Sequence, residues 1–286
     1  MSATFEDISI QQVRDYWNRR PCNLRHSPSP VGSRQYFDEV EARKYFVEPH
    51  IPLFAQHARW SGKRVLEIGC GLGTDTINFA RAGARVTAVD LSSRSIELAR
   101  ERAKVFGVDD RIDFVEANAE RLSDFVPPAE YDLVYSFGVI HHSPHPERVL
   151  EEIRRHYAGP RTTLKLMVYY WWSWKVFGIL LTDAHGAFWR LPDAVARNSE
   201  AQTGCPVTYT YTKPSLKRML ERHGFAVDEM FVDHIFPYRV ADYVEYRYVK
   251  TLPFRWLPER VMRALESRLG WHLCVTAHGA DAPVAR

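Results

Sequence analysis

The sequence lacks the features that mark secreted, membrane-spanning and nucleic-acid-binding proteins. Its four cysteines (Cys22, Cys70, Cys205 and Cys274) are far apart, so no disulfide framework is expected, and no His, Cys or Asp residues group at metal-ligand spacing. The longest apolar stretch, WKVFGILL, is too short to span a bilayer, and MSATFEDISI is not a signal peptide. The net charge of +3, without a Lys/Arg block, gives no indication of nucleic-acid binding. The sequence therefore predicts a soluble, cytoplasmic protein with no metal, no nucleic-acid partner and no stable membrane insertion, and leaves the oligomeric state open.

From Gly62 onward, short apolar segments alternate with longer segments whose apolar residues have helical spacing. The apolar segments are predicted strands, in chain order KRVLEIG, RVTAVDLS, RIDFVEAN, YDLVYSFG and RTTLKLMVYY, followed later by AVDEMFVDHIF and WHLCVTAH. Strands that alternate with helices form parallel sheets covered by helices on both faces. The pattern therefore predicts a doubly wound, Rossmann-like α/β fold.

The remaining segments divide the chain into two predicted parts. Residues 1–61 have helical spacing around Pro- and Ser-rich breaks and predict an N-terminal helical cap or lid, whereas residues 62–286 predict the α/β domain. Two insertions interrupt the alternation, at residues 171–212 after the fifth strand and at residues 238–270 after the sixth. Because insertions of this length usually carry function or specificity, we expect them on the substrate side of the domain.

Three glycines, each separated by a single residue, follow the first strand in VLEIGCGLGTD. Glycines where a strand enters a helix let a ligand approach the backbone and the unpaired N–H groups of the helix. A dinucleotide fingerprint needs a glycine at position 74, which is Thr74, and Glu67 suits a positively charged ligand better than a pyrophosphate. Asp90 ends the second strand, where a carboxylate can accept hydrogen bonds from ribose hydroxyls. A nucleoside with a positive group is predicted, and S-adenosylmethionine fits this description.

On these segments the sequence resembles the class I S-adenosylmethionine-dependent methyltransferases. The resemblance rests on VLEIGCGLG, VTAVDLS, DFVEANAERL and YDLVYSFGVIHHSP, which occur in this order on successive strands, and it covers residues 62–170 closely. It implies a sheet of seven strands, mostly parallel, with the last strand antiparallel to its neighbours. It also implies S-adenosylmethionine as the cofactor and S-adenosylhomocysteine as the product.

The resemblance further implies roles for individual residues. Glu67 is expected near the ammonium end of the cofactor, Asp90 at its ribose, and Leu91 against its adenine. Asn118 stands where the family usually has Asp, and its carbonyl oxygen is expected to accept from the adenine amino group. The other expected cofactor contacts lie in the glycine turn, beside Asn118 and near the sulfonium, and are Gly69, Cys70, Gly71, Gly73, Ala119, Ser136 and Phe137.

His141 and His142 follow the fourth strand, at the edge where acceptors bind in open α/β sheets. Methyl transfer releases a neutral leaving group, so the enzyme mainly orients the acceptor and excludes water. A general base is needed only when the acceptor arrives protonated, and imidazole titrates near neutral pH. Both histidines are therefore catalytic candidates, with His142 preferred as the position more typical of the family. The alternative is that they only hold the shape of the loop.

The sequence leaves the identity of the acceptor open. The aromatic stretch at residues 169–181 predicts either an acceptor pocket or lid, or a buried core, and contact with a lipid is a third interpretation. The leading prediction is methyl transfer to an oxygen or nitrogen of a small-molecule acceptor. The alternatives are a non-catalytic S-adenosylmethionine-binding module and an NAD(P)-dependent oxidoreductase on a similar sheet.

Overall fold

A sheet of eight strands forms the centre of the protein in a computed structural model, which describes residues 5–199 and 204–280. The strands are β1 (Arg64–Ile68), β2 (Arg85–Asp90), β3 (Ile112–Glu116), β4 (Leu133–Phe137), β5 (Thr163–Tyr170), β6 (Thr210–Tyr211), β7 (Phe225–Asp233) and β8 (His272–Gly279). Their order is β3-β2-β1-β4-β5-β8-β7, and β6 pairs with the end of β5. Strands β1 to β5 are parallel, whereas β8 is antiparallel to both β5 and β7. The predicted Rossmann-like sheet is confirmed, and the first insertion adds β6 to the seven expected strands.

Within the described residues, eleven α-helices surround the sheet. They are α1 (Ile10–Arg19), α2 (Arg34–Val47), α3 (His50–Ala55), α4 (Thr74–Arg81), α5 (Ser93–Phe106), α6 (Pro146–Glu152), α7 (Trp174–Thr182), α8 (Leu191–Arg197), α9 (Lys213–Arg222), α10 (Val240–Val244) and α11 (Glu259–Leu269). Capping boxes at Ser9 and Thr212 explain where α1 and α9 begin, because their side chains accept from the third helical N–H. None of these helices combines the length and hydrophobicity needed to cross a bilayer.

Two apolar cores lie on opposite faces of the sheet. Successive side chains of a strand point to opposite faces, so Val65 of β1 packs in one core and Leu66 and Ile68 in the other. Helices α3, α4, α5 and α7 contribute to the first core, and α6 and α9 to the second. The central strands β1, β4 and β5 are buried along almost their whole length because both of their faces are covered.

The N-terminal helices are fixed to this domain by polar contacts. Arg102 of α5 is buried and donates to Thr74 Oγ1 and to Glu41 Oε2, both at 2.7 Å. Arg14 of α1 donates to the carbonyl oxygen of Leu91 at 3.3 Å and forms an ion pair with Glu116 at the end of β3. Helix α1 therefore lies beside the carboxyl ends of β2 and β3. The assignment of residues 1–61 as a separate cap stays a prediction.

The aromatic stretch at residues 169–181 is divided between the core and the surface. Tyr169 is buried in β5, and Val176 and Ile179 on one side of α7 are buried as well. Phe177 and Leu181 on the other side are 54% and 58% exposed. The stretch is therefore a core segment on one face and an exposed apolar surface on the other.

Candidate functional site

Two glycines of the turn after β1 are required for different physical reasons. Gly69 has a φ of +80°, and a Cβ at this position would clash with the side chain of Val139. Gly71 has a φ of +53°, but a Cβ there would meet no described atom within 4 Å. Gly69 is thus required by packing, whereas Gly71 faces open space that a ligand can enter.

Asp90 connects this turn to the end of β2. Its Oδ2 atom accepts from the backbone N–H of Gly71, and its Oδ1 atom accepts from that of Ser92, each at 2.8 Å. Burial raises the pKa of Asp90 to about 6. Because each carboxylate oxygen has two lone pairs, both retain capacity to accept from ribose hydroxyls.

Glu67 lies in β1 just before the glycine turn and is 4% exposed. It accepts from the hydroxyl of Thr76 in α4 at 2.5 Å. Burial, together with the negative charge of Asp75, raises the pKa of Glu67 to about 8. Without a ligand this carboxyl is therefore mostly neutral at pH 7, and a cation placed against it favours its ionisation. The open turn and this side chain fit a ligand with a positive group.

The other predicted cofactor residues lie along the same edge of the sheet. Asn118 is half-buried and caps a 3₁₀ helix (Ala119–Asp124), because its Oδ1 atom accepts from the Glu120 N–H at 3.0 Å. The carbonyl assigned to the adenine thus already has one partner and keeps one lone pair. At the end of β4, Ser136 is buried and its hydroxyl has no hydrogen-bond partner among the described residues. Phe137 beside it is half-buried.

His141 and His142 are both buried in a 3₁₀ helix (Ile140–His142) that follows β4. Nδ1 of His142 lies 2.7 Å from the carbonyl oxygen of Val207, and since a carbonyl only accepts, the lone pair of the neutral ring is on Nε2. Trp17 of α1 packs on His142 with 5.4 Å between ring centroids. Burial lowers the pKa of His141 well below its ordinary value. The neutral ring of His142 therefore has its lone pair on Nε2, as a general base requires. Burial keeps the ring of His141 uncharged.

An ion-pair network beside the turn was missed by the sequence analysis. The buried carboxylate of Asp75 accepts from Lys44 Nζ and Tyr45 Oη, each at 2.7 Å, and lies 3.1 Å from His57 Nε2. Burial opposes its charge, but Lys44 and His57 outweigh that effect and hold the pKa of Asp75 below its ordinary value. Because these residues come from separate elements, no local spacing indicated the network.

A histidine cluster, also missed, lies next to Phe137 and consists of His50, His234 and His272 with Glu48 and Asp233. Nε2 of His50 lies 3.0 Å from Nδ1 of His272, and the rings of His234 and His272 stack at 4.6 Å. The Phe137 ring centroid is 5.5 Å from that of His272 and 5.9 Å from that of His50. The expected methyl end of the cofactor site is thus bordered by imidazole rings.

The structure therefore brings most predicted residues to one edge of the sheet. The glycine turn, Asp90, Asn118 and Phe137 follow the carboxyl ends of β1 to β4. Tyr169 connects the two groups of histidines, with ring centroids 3.9 Å from His141 and 6.3 Å from His272. A cavity of about 410 Å³, lined by residues of α1 and α8 among others, contains none of the predicted cofactor residues.

Comparisons with known proteins point to one family. Residues 65–158 match a family model described as a methyltransferase domain. The chain is 34% identical over 94 residues to the ubiquinone biosynthesis O-methyltransferase of Nitrosococcus oceani, covering 33% of this chain and 39% of that protein. It is 36% identical over 96 residues to the 27-O-demethylrifamycin SV methyltransferase of Amycolatopsis mediterranei, covering 33% and 35%. The match thus spans well under half the length of these relatives.

The likeness in fold extends over nearly the whole chain. The structure of magnesium protoporphyrin IX methyltransferase from Synechocystis PCC 6803, with bound S-adenosylhomocysteine, matches with a TM-score of 0.56. The match covers 94% of this chain and 99% of that one, at 16% sequence identity. At this sequence identity the match supports the fold alone.

Proposed function

We propose, from the match of residues 65–158 to a methyltransferase-domain model, that the chain is a class I S-adenosylmethionine-dependent methyltransferase that methylates an oxygen or nitrogen of a small-molecule acceptor. The observation that carries the proposal is the open face of Gly71 between the carboxyls of Glu67 and Asp90. These groups offer what a cationic nucleoside needs, namely close approach to the backbone, a carboxyl for a positive group and a carboxylate for hydroxyls.

Each group of residues has a defined task in this proposal. Glu67 receives the ammonium end of the cofactor, Asp90 its ribose, and Leu91, Asn118 and Ala119 its adenine. The turn of Gly69, Cys70, Gly71 and Gly73 lies under the methionine part, with Ser136 and Phe137 towards the methyl. When bound, the cofactor supplies a methyl group on a sulfonium with a neutral thioether as leaving group. The N-terminal residues 1–61 act as a cap, and the insertions 171–212 and 238–270 border the acceptor.

His142 is the preferred group for handling the acceptor proton. Its Nδ1–H is directed to the Val207 carbonyl, so Nε2 holds the lone pair that a general base requires. Trp17 packs against the ring and limits the access of water. His141 has a packing role beside it and keeps the neighbouring ring in place.

The acceptor is proposed to be a small molecule, and an oxygen nucleophile is preferred to a nitrogen nucleophile. The names of the relatives, a ubiquinone biosynthesis O-methyltransferase and a rifamycin methyltransferase, favour oxygen over nitrogen. The net charge of +3 supports the same class, because polyanionic partners require larger basic surfaces.

Calorimetry on protein freed of endogenous ligand tests the proposal. S-adenosylhomocysteine should bind with one site per chain, and Asp90→Ala should weaken its affinity at least about tenfold, since both hydrogen-bond acceptors of the carboxylate are lost. Asp113→Ala, an exposed aspartate on neighbouring β3, is the matched control and should bind normally. Absence of binding by the wild type, or tight binding of NADH instead, overturns the proposal. Transfer of labelled methyl to phenol, hydroxy acid and amine panels then identifies the acceptor class.

A further inference from the structure

Three side chains that are far apart in the sequence offer metal-ligand atoms at one place. Glu48 follows α2, His234 follows β7 and His272 begins β8, and one ligand atom from each lies within 4.8 Å of the other two. Nε2 of His272 is 3.6 Å from Oε1 of Glu48. Ligand atoms bound to one tetrahedral zinc ion at about 2.0–2.1 Å lie about 3.4 Å apart, so side-chain rotations that bring the three atoms about 1 Å closer close the site. We propose that these three residues bind one divalent transition-metal ion of the zinc type.

The hydrogen bonding around His272 leaves a place for a cation. His272 Nδ1 and His50 Nε2 share one hydrogen at 3.0 Å, and both rings are 4% exposed, which disfavours a charged imidazole. If His272 donates, its Nε2 lone pair faces Glu48; if His50 donates, its Nδ1 lone pair faces Asp233 at 3.9 Å. In either tautomer, a carboxylate oxygen of Glu48 or Asp233 faces a nitrogen lone pair, and two acceptors repel each other.

A metal ion on His272 Nε2 resolves this conflict. His272 then donates from Nδ1 to His50, and the Nδ1–H of His50 is directed towards the carboxylate of Asp233. Metal-bound histidines usually have such a partner on the other ring nitrogen, which fixes the tautomer and the ring orientation. Asp233 and His50 are thus positioning residues behind the ligand.

The backbone of His234 is held in an unusual conformation. Its φ is +70°, which is rare for a residue with a Cβ. The conformation is fixed because its N–H donates to Asp233 Oδ1 at 2.6 Å and its carbonyl accepts from the Trp271 N–H at 2.7 Å. Backbone strain that the surrounding structure maintains is concentrated at functional sites. Here it places the His234 ring against His272 and into the cluster.

The ligand set indicates the class of metal and its task. Two imidazoles and one carboxylate suit zinc and similar ions, whereas magnesium and calcium prefer oxygen ligands alone. Three protein ligands leave a coordination position open. Since Phe137 borders both the cluster and the expected methyl position, we expect the acceptor to occupy the open coordination position. Resting on the proposed function, the acceptor is a small molecule with a metal-binding oxygen, such as a phenol or hydroxy acid. The proposal departs from the expectation of no metal, which rested on ligand spacing along the sequence.

Metal titration tests the site without using activity. Full-length protein treated with a chelator is titrated with Zn²⁺ by calorimetry and with Co²⁺ by visible absorption, with Mg²⁺ for comparison. We expect one Zn²⁺ per chain, visible Co²⁺ bands, and at least tenfold weaker binding in Glu48→Gln and His234→Ala. His278→Ala, an exposed histidine on the same strand β8, is the matched control and should bind normally.

Two further measurements keep the outcome unambiguous. Thermal unfolding of the metal-free variants shows whether they are folded. If His234→Ala is unfolded, the Zn²⁺ affinity of Glu48→Gln alone decides the test. Wild type that binds no Zn²⁺, or binds it equally in all variants, overturns the metal site. S-adenosylhomocysteine is titrated into the same metal-free protein. Cofactor binding without Zn²⁺ binding overturns only the metal site, and Zn²⁺ binding without cofactor binding supports that site but overturns its link to methyl transfer.

Discussion

Gly71 donates its backbone N–H to the Oδ2 atom of Asp90 at 2.8 Å, which adds a side-chain contact to the backbone hydrogen bonds from Gly69 and Cys70 to the Val89 carbonyl. The same carboxylate is proposed to receive the cofactor ribose. A substitution of Asp90 therefore alters both the turn and the capacity to bind hydroxyls. Substitutions of glycines within the turn are needed to separate stability from ligand binding.

Gly71→Ala and Gly69→Ala should have different effects. At Gly71 the new methyl meets no described atom, so the loss of stability is about 1 kcal/mol from the positive φ alone, while affinity for S-adenosylhomocysteine falls at least about tenfold. At Gly69 the methyl clashes with Val139, and the loss is roughly 2–5 kcal/mol. Denaturant unfolding and calorimetry measure the two quantities. Equal destabilisation by both substitutions would contradict this account of the turn.

Cofactor affinity should increase with pH because of Glu67. Its pKa of about 8 keeps it protonated in the ligand-free protein at pH 7, and binding an ammonium group requires the carboxylate. Affinity for S-adenosylhomocysteine should therefore rise roughly fiftyfold between pH 6 and pH 8, because the ionised fraction of Glu67 rises by that factor. In Glu67→Gln the affinity should be lower, and only the roughly twofold rise that comes from ionisation of Asp90 should remain. A wild-type affinity that is constant over this range argues against the role of Glu67.

Glu67 also has a predictable effect on stability. Its folded pKa lies above the unfolded value, so between about pH 4.5 and pH 8 the folded state holds a proton that the unfolded state loses. The contribution of Glu67 to the free energy of unfolding must therefore decrease as pH rises through this window. Relative to wild type, ligand-free Glu67→Gln should become more stable with rising pH. Urea unfolding of both proteins at pH 5 and pH 8 gives the comparison.

Lys44→Met should destabilise the protein more than Asp75→Asn. Removing Lys44 leaves the buried Asp75 carboxylate without its cation, and breaking such a pair costs about 3–5 kcal/mol. Asparagine at position 75 removes the more deeply buried charge of the pair, keeps an oxygen that accepts from Tyr45, and leaves Lys44 near the negative charge of Glu48. Lys63→Met, at an exposed ion pair with Asp132, is the control and should change stability by less than about 1 kcal/mol. If Lys44→Met and Lys63→Met are equivalent in urea unfolding, the buried network has no such role.

His142→Ala should reduce kcat while S-adenosylhomocysteine still binds. Loss of a general base lowers kcat by about 10²–10⁴-fold for an acceptor that arrives protonated. The limb of the pH–rate profile that reports this base should disappear in the variant. His145→Ala, in the following loop, is the control because the contact at this position to Glu120 is made by the backbone N–H. A His142→Ala enzyme with normal kcat assigns His142 to loop structure alone.

The parts of the site that were predictable from the sequence are local. The glycine turn, Asp90 and Phe137 each stand at the end of a strand whose apolar pattern is visible, and parallel strands bring their carboxyl ends to one edge. The capping role of Asn118 was also readable, since Asn before a short helix is a typical N-cap. The resemblance to the family nevertheless assigned Asn118 only to the adenine, and its role as an N-cap was not predicted.

The parts that were missed depend on distant contacts. Glu48 and His272 meet only because the N-terminal helices pack on the sheet and β8 pairs antiparallel with β5 and β7. Lys44 reaches Asp75 across the boundary between the N-terminal helices and the domain. Neither periodicity nor residue spacing reports such contacts, because both describe neighbours along the chain.

The position of Lys44 and Glu48 in and after α2 has a consequence for recombining related sequences. A chain that begins at residue 62 would lack both side chains, although it would contain every glycine of the turn. Chimeras joined at that boundary keep the glycine turn and Asp90 of one parent but take position 48, the proposed metal ligand, and the partners of Asp75 from the other. Under the proposed metal site, exchange of the first sixty-one residues should therefore change acceptor choice, and it should preserve stability only where the second parent also pairs Asp75.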